Sequence, residues 1–389
     1  MRAFVFTDPA LAKHAGRFVW LAINGEKAVN APFRQKYKIP AFPTFYVLDP
    51  VNGQVRARWI GSASVAQFDP LFTEQSAAYA RHLKGASAPT VADAILHAAD
   101  SLYAADAHAE AAAAYARAIE AAPRDWRERS RAVDARLFSL SSADSVESCV
   151  ALAEAELPGA RRTVAGANVA ASGLGCALQL PKDAPGRAER IAALEAACRE
   201  VLADRSLDLQ GDDRSGLYIS LLDAREAAGD SLGRHQVAEA WSAFLDGEAA
   251  RAKTPVERAV FDPHRLSAYI EIGHAERALP MLEQSARDFP DDYNPPARIA
   301  IANRALKHWD DGLAASDRAM KLAYGPRKLT FYTTRADLFA GKGDAEAARK
   351  TIEEAIGYAK ALPEGQRSNA SIASLEKRLA AMKPAAGTP

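Results

Sequence analysis

Cysteine is scarce in this sequence, with Cys149, Cys176 and Cys198 among 389 residues. Their number and spacing exclude a disulfide-rich scaffold and a zinc site built on cysteine pairs. All three lie in alanine- and leucine-rich sequence with helical periodicity. A redox pair of Cys176 with Cys198 on facing helices is one interpretation. We favour the other, in which the three are small buried packing residues.

Charge of one sign is also lacking, since 49 Lys and Arg face 49 Asp and Glu. A chain without net charge has no overall field to hold a nucleic acid or an anionic membrane, so we expect neither partner. Apolar runs of the roughly 20 residues that cross a bilayer are missing. A secretion signal has a basic region followed by an apolar stretch, and the first residues do not show this pattern. We therefore predict no membrane insertion.

Motifs of several enzyme classes are absent as well. The eight histidines show no metal-ligand spacing, and there is no nucleophile elbow and no phosphate-binding loop. Gly173-Leu174-Gly175 is better explained by close helix packing. The sequence predicts no metal, no cofactor and no catalytic residue.

Residues 1–84 have the mixed pattern of an α/β domain. Residues 18–23 and 44–48 are short apolar runs, typical of strands buried on both faces of a parallel sheet. Asn52-Gly53 favours a hairpin turn, and residues 55–59 then alternate as in an edge strand with Gln54, Arg56 and Arg58 on its wet face. Helices are expected at residues 30–38 and 65–83.

Residues 85–89 have the composition of a linker, and helical periodicity continues from 90 to 383. In this second part, turn residues and small residues recur with spacings of 5, 7 and 5. They are Gly273, Ala278, Ser285 and Pro290 in one segment, and Asp106, Ala111, Ala118 and Pro123 in another. Gly312 follows Ala278 by 34 residues.

A period near 34 with these residues is similar to that of tetratricopeptide repeats, which are pairs of antiparallel helices. Two helices pack closely where one presents Ala or Gly, and Gly or Asp suits the tight turn between them. We predict seven pairs beginning near residues 90, 126, 162, 213, 258, 293 and 328. A capping helix at 368–382 and a flexible tail at 384–389 follow. Between about 126 and 251 the units are degenerate repeats or plain helical hairpins.

The resemblance to tetratricopeptide arrays implies protein or peptide clients on the concave face, which the first helix of each pair lines. Candidate contacts are Arg298, Asn303, Tyr332, Arg335 and Tyr218. The Lys/Asn set that clamps a peptide carboxylate is missing, since its positions hold Pro263, Ser267, Ala297, Ile301, Thr333 and Asp337. The turn at 291–296 is either a partner-contact edge or, as we favour, a rigid connection capped by Asn294.

The phrase Tyr37-Lys38-Ile39-Pro40-Ala41-Phe42-Pro43-Thr44, followed by an apolar run and a turn, resembles the second half of a thioredoxin fold. The resemblance implies a cis Phe42–Pro43 bond and a substrate-binding loop at Phe42, Pro43 and Thr44. It also implies that complete relatives exchange thiols and disulfides. The Cys-x-x-Cys pair of that family is missing here, so we expect no redox turnover.

By this alignment Met1 falls inside the first active-site helix, and the family's central strand between residues 18–23 and 44–48 is missing. We expect that the natural product begins upstream of Met1; the alternative is a relic domain in which the two strands pair directly. The expected compartment is a bacterial periplasm or envelope if a secretion signal precedes Met1, and otherwise the cytoplasm.

The predicted fold class is thus an incomplete thioredoxin-like α/β domain followed by an all-α solenoid. One functional hypothesis is a thioredoxin-like module in a thiol–disulfide exchange context, whose solenoid selects or tethers the client. The other is a non-catalytic scaffold whose first part is a small docking domain.

Overall fold

The computed structural model describes residues 4–39, 42–85, 90–123 and 125–382. The chain forms two compact units, Met1–Trp20 with Lys38–Val237 and Leu21–Tyr37 with Ala238–Pro389. Residues 86–89 of the expected linker and the expected tail at 384–389 lie outside the described residues. The division at 85–89 therefore stays a prediction.

The described residues are mostly helical. Their two strands are β1 (Thr44–Leu48) and β2 (Val55–Ile60). Their α-helices are α1 (Ala31–Lys36), α2 (Val65–Leu83), α3 (Val91–Ala104), α4 (His108–Ala121), α5 (Arg129–Ser142), α6 (Val146–Ala160), α7 (Val164–Gln179), α8 (Arg187–Ala203), α9 (Gly211–Ala227), α10 (Ser231–Arg251), α11 (Pro255–Ala259), α12 (Asp262–Glu271), α13 (Ala278–Asp288), α14 (Asn294–Ala305), α15 (Trp309–Leu322), α16 (Lys328–Lys342), α17 (Ala345–Ala361) and α18 (Asn369–Ala381).

The sheet within the described ranges consists of β1 and β2 alone, paired antiparallel with Phe45 opposite Trp59. Their turn is the predicted Asn-Gly turn, in which the Asn52 side chain accepts a hydrogen bond from the Gln54 amide at 2.8 Å. Gly53 has a φ of 69°, a conformation that side chains disfavour. The turn residues therefore explain why the chain reverses here.

The strand expected at residues 18–23 is wrong, and with it the parallel sheet. Val19 is 85% exposed and Leu21 76% exposed. The rings of Phe18 and Trp20 instead contact the ring of Phe72 on α2, at centroid distances of 5.6 and 5.1 Å. Apolar composition does not distinguish a buried strand from an extended segment that aromatic rings hold against a helix.

Helix α2 and the sheet form the core of the first unit's N-terminal part. The rings of Phe68 and Phe72 on α2 lie in one buried cluster with Ala57 and Trp59 of β2. Ser64 begins the helix with a reciprocal capping box, which satisfies two otherwise unpaired backbone amides. The Phe42–Pro43 bond is cis, as the thioredoxin resemblance implied.

Helix pairs follow in both units. In the first unit α3 packs with α4, α5 with α6 and α7 with α8; in the second unit α12 packs with α13, α14 with α15 and α16 with α17. The first helices begin within four residues of the seven predicted positions, at Val91, Arg129, Val164, Gly211, Asp262, Asn294 and Lys328. Helix α18 packs on α17 in the position of the expected cap.

The recurring turn and small residues have the roles that their spacing predicts. Asp106, Gly273 and Gly343 lie in the turns within pairs, with φ values of 57°, 75° and 92°. A side chain on Gly312 would place its Cβ 2.5 Å from Leu338 Cδ2 of α16, so the leucine or the helix would have to shift to admit it.

The three cysteines are buried, as the favoured interpretation predicts, but two of them are bonded to each other. Cys149 on α6 and Cys176 on α7 form a disulfide, with their Cα atoms 6.2 Å apart. The redox pair considered for Cys176 and Cys198 is therefore wrong, while Cys198 is a free buried thiol. Helices α6 and α7 pack closely at Gly173, where a Cβ would overlap the Ala153 side chain. This close packing brings Cys149 and Cys176 together.

Candidate functional site

The first helices of the pairs in the first unit lie side by side in the order α3, α5, α7 and α9. Strand β2 packs against α3, and the end of β2 lies over the row of first helices. An extended segment of the chain thus occupies the face on which a peptide client was predicted to bind.

Arg58 attaches β2 to this row. Its guanidinium donates to the carbonyl of Tyr103, to Asp106 Oδ1 at 2.9 Å and to the carbonyl of Lys38 at 3.3 Å. It also lies over the Tyr103 ring, 4.8 Å from the centroid. The edge-strand pattern predicted a wet position for Arg58, but the side chain is buried. The face of β2 expected to meet water meets α3 instead.

A second buried guanidinium, that of Arg131 on α5, is held by two carboxylates. Its Nε donates to Glu128 at 2.6 Å and its Nη1 donates to Asp100 at 2.9 Å. The Tyr115 hydroxyl also donates to Asp100, at 2.7 Å. Since two carboxylates already pair with its one guanidinium, Arg131 is not available to neutralise a further carboxylate.

A cavity of about 290 Å³ lies between the end of β2 and the row of first helices. Trp59, Tyr103 and Phe138 contribute aromatic walls. Its polar lining includes Asp134 of α5, Asn168 of α7 and Asp213 of α9. We call it the groove cavity.

The two carboxylates of the groove cavity have neutral partners. Asn168 Nδ2 donates to Asp134 Oδ2 at 2.7 Å. The hydroxyl of Ser62, which follows β2, donates to Asp213. Within the part of the chain that the structure describes, neither carboxylate forms an ion pair with a lysine or arginine side chain.

Burial therefore dominates the titration of both groups. It raises the pKa of Asp134 to about 7, against the smaller effect of the Asn168 hydrogen bond. Burial, followed by the negative charge of Asp212, raises the pKa of Asp213 to about 6. Near neutral pH the two carboxyl groups of the groove cavity are thus close to the pH at which they lose their protons and become negatively charged.

Comparisons with known proteins add little to this geometry. No protein-family model and no curated protein matches the chain. A solved tetratricopeptide repeat protein from Parabacteroides merdae is 11% identical, with 74% of this chain and 98% of that chain covered and a TM-score of 0.47. The TPR2AB domain of yeast Sti1, in a complex with pHSP90, is 14% identical with the same coverage and a TM-score of 0.28. Because both scores are low, the helix pairs rest on this chain's own helices and contacts.

The loop predicted from the thioredoxin resemblance lies at the start of β1. Phe42 is 59% exposed. The Pro43 carbonyl accepts a hydrogen bond from the Gly61 amide at 2.8 Å, and Thr44 pairs with Ile60. The carbonyl of Pro43 is therefore already used within the chain.

Among the client contacts predicted for the second unit, α14 carries two. Asn303 is 4% exposed, and its amide donates to the Ile299 carbonyl of the same helix at 3.0 Å. It is thus part of the helix packing and does not face a client. Arg298 is half-buried; burial lowers the pKa of its guanidinium, while the Asp262 carboxylate opposes that shift.

Tyr332 and Arg335 on α16 are better placed to meet a client. Both are partly exposed. The Arg335 guanidinium pairs with Asp317 at 2.5 Å and lies 5.0 Å from the centroid of the Phe339 ring. Tyr218, the earlier candidate on α9, is buried.

The turn at 291–296 has a different cap from the one predicted. Helix α14 begins at Asn294, whose backbone amide donates to Asp292 Oδ1 at 2.8 Å. The Asn294 side chain donates to the same oxygen at 2.7 Å. The carboxylate of Asp292 therefore satisfies the first backbone amide of the helix, Tyr293 is the N-cap residue, and Asn294 is a donor.

Residues 21–37 belong to the second unit. Asn24 Nδ2 donates to the Tyr324 hydroxyl at 3.0 Å, and Gln366 Nε2 donates to the Gly25 carbonyl at 2.8 Å. The loops between helix pairs thus bind a segment that composition alone grouped with the α/β region.

No group of three or more His, Cys, Asp or Glu side chains in the described ranges is placed to hold a metal ion. No helix there combines the length and apolar character needed to cross a membrane. Burial raises the pKa of the Cys198 thiol to about 12.

Sequence reasoning missed Arg58, Asp134, Asn168 and Asp213. The three on helices fall at polar positions of amphipathic sequence, where nothing distinguishes a groove-facing residue from a solvated one. The spacing of about 34 residues between Asp134 and Asn168 matches the repeat period, and it is the one signal that could have paired them.

Proposed function

We propose that this protein is a non-catalytic scaffold whose helix pairs bind extended segments of protein or peptide clients. The observation that carries this proposal is the packing of β2 against α3, the first helix of the row, with Arg58 bonded to the carbonyl of Tyr103 and to Asp106. That face accepts an extended strand, so the equivalent face of the second unit is the proposed client site.

Tyr332 and Arg335 of α16 supply the chemistry for such contacts. Both are partly exposed, and tyrosine and arginine are the side chains that most often dominate binding energy at protein interfaces. A tyrosine ring gives a large apolar contact, and a guanidinium gives several hydrogen bonds to a peptide backbone or carboxylate.

The test is selection of a phage-displayed library of random short peptides on the full chain. Binding of the enriched peptides is then measured by calorimetry for the unchanged protein, Tyr332→Ala, Arg335→Ala and Arg318→Ala. Arg318 is an exposed arginine on α15, the second helix of its pair, and is the matched control. We expect each α16 change to weaken binding about tenfold or more and the control to bind normally. Enrichment of no peptide, or equal binding by all variants, contradicts the proposal.

The second candidate places this scaffold in a thiol–disulfide exchange context. Strand β1, the turn, β2 and α2 follow each other in the order of the segment that resembles thioredoxin, and this supports a thioredoxin-like docking element. Of the cysteines, two are bonded to each other and buried, and the third has a raised pKa. Since the thiolate is the reactive form, we expect no turnover in an insulin-reduction assay. Turnover would contradict the non-catalytic assignment.

A further inference from the structure

We propose that the groove cavity binds an organic cation, whose guanidinium or ammonium group pairs with the carboxylate of Asp134 on α5. Such a site would exist whether or not the second unit binds clients, so the two proposals can fail separately.

The charges around the cavity are the first argument. Arg58 is engaged by Asp106 and two backbone carbonyls, and Arg131 is engaged by Asp100 and Glu128. Neither guanidinium pairs with Asp134, whose hydrogen-bond donor is the uncharged amide of Asn168. Buried carboxylates normally have a cationic partner, so a ligand that supplies one would gain most of its binding energy here.

The aromatic walls are the second argument. Trp59, Tyr103 and Phe138 line the same cavity as the two carboxylates. Aromatic faces attract organic cations, especially where water is excluded. The chain itself provides an example, because the Arg58 guanidinium lies 4.8 Å from the centroid of the Tyr103 ring.

The size and the donor set exclude a bare metal ion as the occupant. A volume of about 290 Å³ is far larger than the roughly 30 Å³ share of one water molecule in the liquid. The described part of the chain also has no group of side chains placed for metal coordination. An alkyl chain ending in a guanidinium or ammonium fits both the space and the mixed lining.

Titration gives a supporting expectation. Because burial raises the pKa of Asp134 to about 7, a cation must compete with protons for its carboxylate oxygens. We expect binding to be stronger at pH 8 than at pH 5.5.

The experiment compares n-butylguanidinium and n-butylammonium with n-butylurea, a neutral isostere, by calorimetry on the full chain at pH 8. We expect either cation to bind and the urea to bind at least about tenfold more weakly, as the loss of a charged hydrogen bond requires. Asp134→Asn should weaken cation binding by a similar factor. Asp183→Asn, in an exposed loop, is the matched control. Circular dichroism confirms that each variant is folded.

A second pair of probes identifies the source of the cation. A blocked tripeptide with a central arginine is compared with the same peptide carrying citrulline. Binding of the arginine peptide assigns the site to basic side chains of polypeptides, and binding of the butyl cations alone assigns it to small free amines or guanidines. Equal binding of the cations and the urea, unchanged cation binding by Asp134→Asn, or no binding of any cation overturns the proposal.

Discussion

Single buried charges in the first unit are found in two opposite situations. The guanidinium of Arg58 has a carboxylate and two carbonyls as acceptors, so its charge is satisfied after burial. The carboxylate of Asp134 receives one uncharged amide hydrogen bond, from Asn168. Desolvation without a counter-charge favours the protonated acid, which is why its pKa rises. An ionised Asp134 therefore destabilises the folded state.

This difference predicts a pH-dependent gain of stability in Asp134→Asn. The folded state keeps the Asp134 proton up to about pH 7, whereas the unfolded chain releases it near the ordinary value of 3.8. The free energy of unfolding should therefore fall as pH rises between these values and stay low above them. Removing the charge should stabilise the protein by about 1–3 kcal/mol at pH 8.5, since partial exposure reduces the full effect.

Urea unfolding at pH 5 and pH 8.5 measures the effect. The asparagine keeps an acceptor for Asn168, and at pH 5 the loss of stability caused by Asp134 is only partly developed, so the gain in the variant should be less than half of that at pH 8.5. Asp183→Asn serves as control and should show no such gain at pH 8.5. A variant that is less stable than the unchanged protein at the higher pH would show that Asp134 has a cationic partner.

For single residues, the sequence shows which side chains are present but does not predict what surrounds them in the fold. Arg58 followed the pattern of an edge strand, and its solvent side was inferred from alternation with Ala57 and Trp59. Alternation of polar and apolar residues shows only that the two faces of the strand differ in polarity. Whether the polar face meets water or a helix depends on α3, which begins about 30 residues later and has no local signal in the strand.

Among elements, contact between neighbouring helices depends on small residues at defined positions. Gly312 on α15 faces Leu338 of α16, and Ala278 and Ala348 are fully buried at equivalent places in other pairs. These contacts are local in sequence, within one period of the repeat. That is why the spacing of Gly, Ala and Ser residues was enough to predict the helix starts within a few positions.

Gly312→Ala should consequently destabilise the protein, although alanine is the better helix former. The new Cβ would lie 2.5 Å from Leu338 Cδ2, so the helices must separate or the leucine must change rotamer. Overpacking of this kind costs about 1–3 kcal/mol, which exceeds the gain in helix propensity of about 1 kcal/mol.

Gly357→Ala on α17 is the matched control, because no atom lies within 4 Å of the Cβ it would add. It should stabilise the protein by about 0.5–1 kcal/mol. Urea unfolding of the two variants thus tests opposite signs for the same chemical change. A stabilised Gly312→Ala would mean that α15 and α16 do not approach as closely as described.

For the whole molecule, the two units are not continuous in sequence, because residues 21–37 belong with residues 238–389. Composition assigns a segment to the same domain as its neighbours in the chain. Residues 21–37 were therefore predicted to belong with the strands that follow them. The contacts that hold this segment join Gly25 to Gln366 and Asn24 to Tyr324, partners about 300 residues apart or more. Such separations leave no local pattern, and for that reason the sequence could not predict this arrangement.

The Cys149–Cys176 disulfide gives a prediction for the chain as a whole, because its effect is exerted on the unfolded state. The cross-link closes a loop between residues 27 apart, which lowers the entropy of the unfolded chain. Its loss should reduce the free energy of unfolding by about 3–4 kcal/mol in the chain-entropy treatment. Urea unfolding with and without a reductant measures that difference, with Cys198→Ala as a control that retains the disulfide.

Thiol titration gives the independent check. Protein denatured without a reductant should react with one equivalent of a thiol reagent, from Cys198, and with three after reduction. In Cys198→Ala the values should be zero and two. Disulfides persist in oxidising compartments, so isolation of the oxidised form from its native source would favour such a compartment over the cytoplasm. Three reactive thiols in protein that has never met a reductant would instead show that α6 and α7 pack without the cross-link.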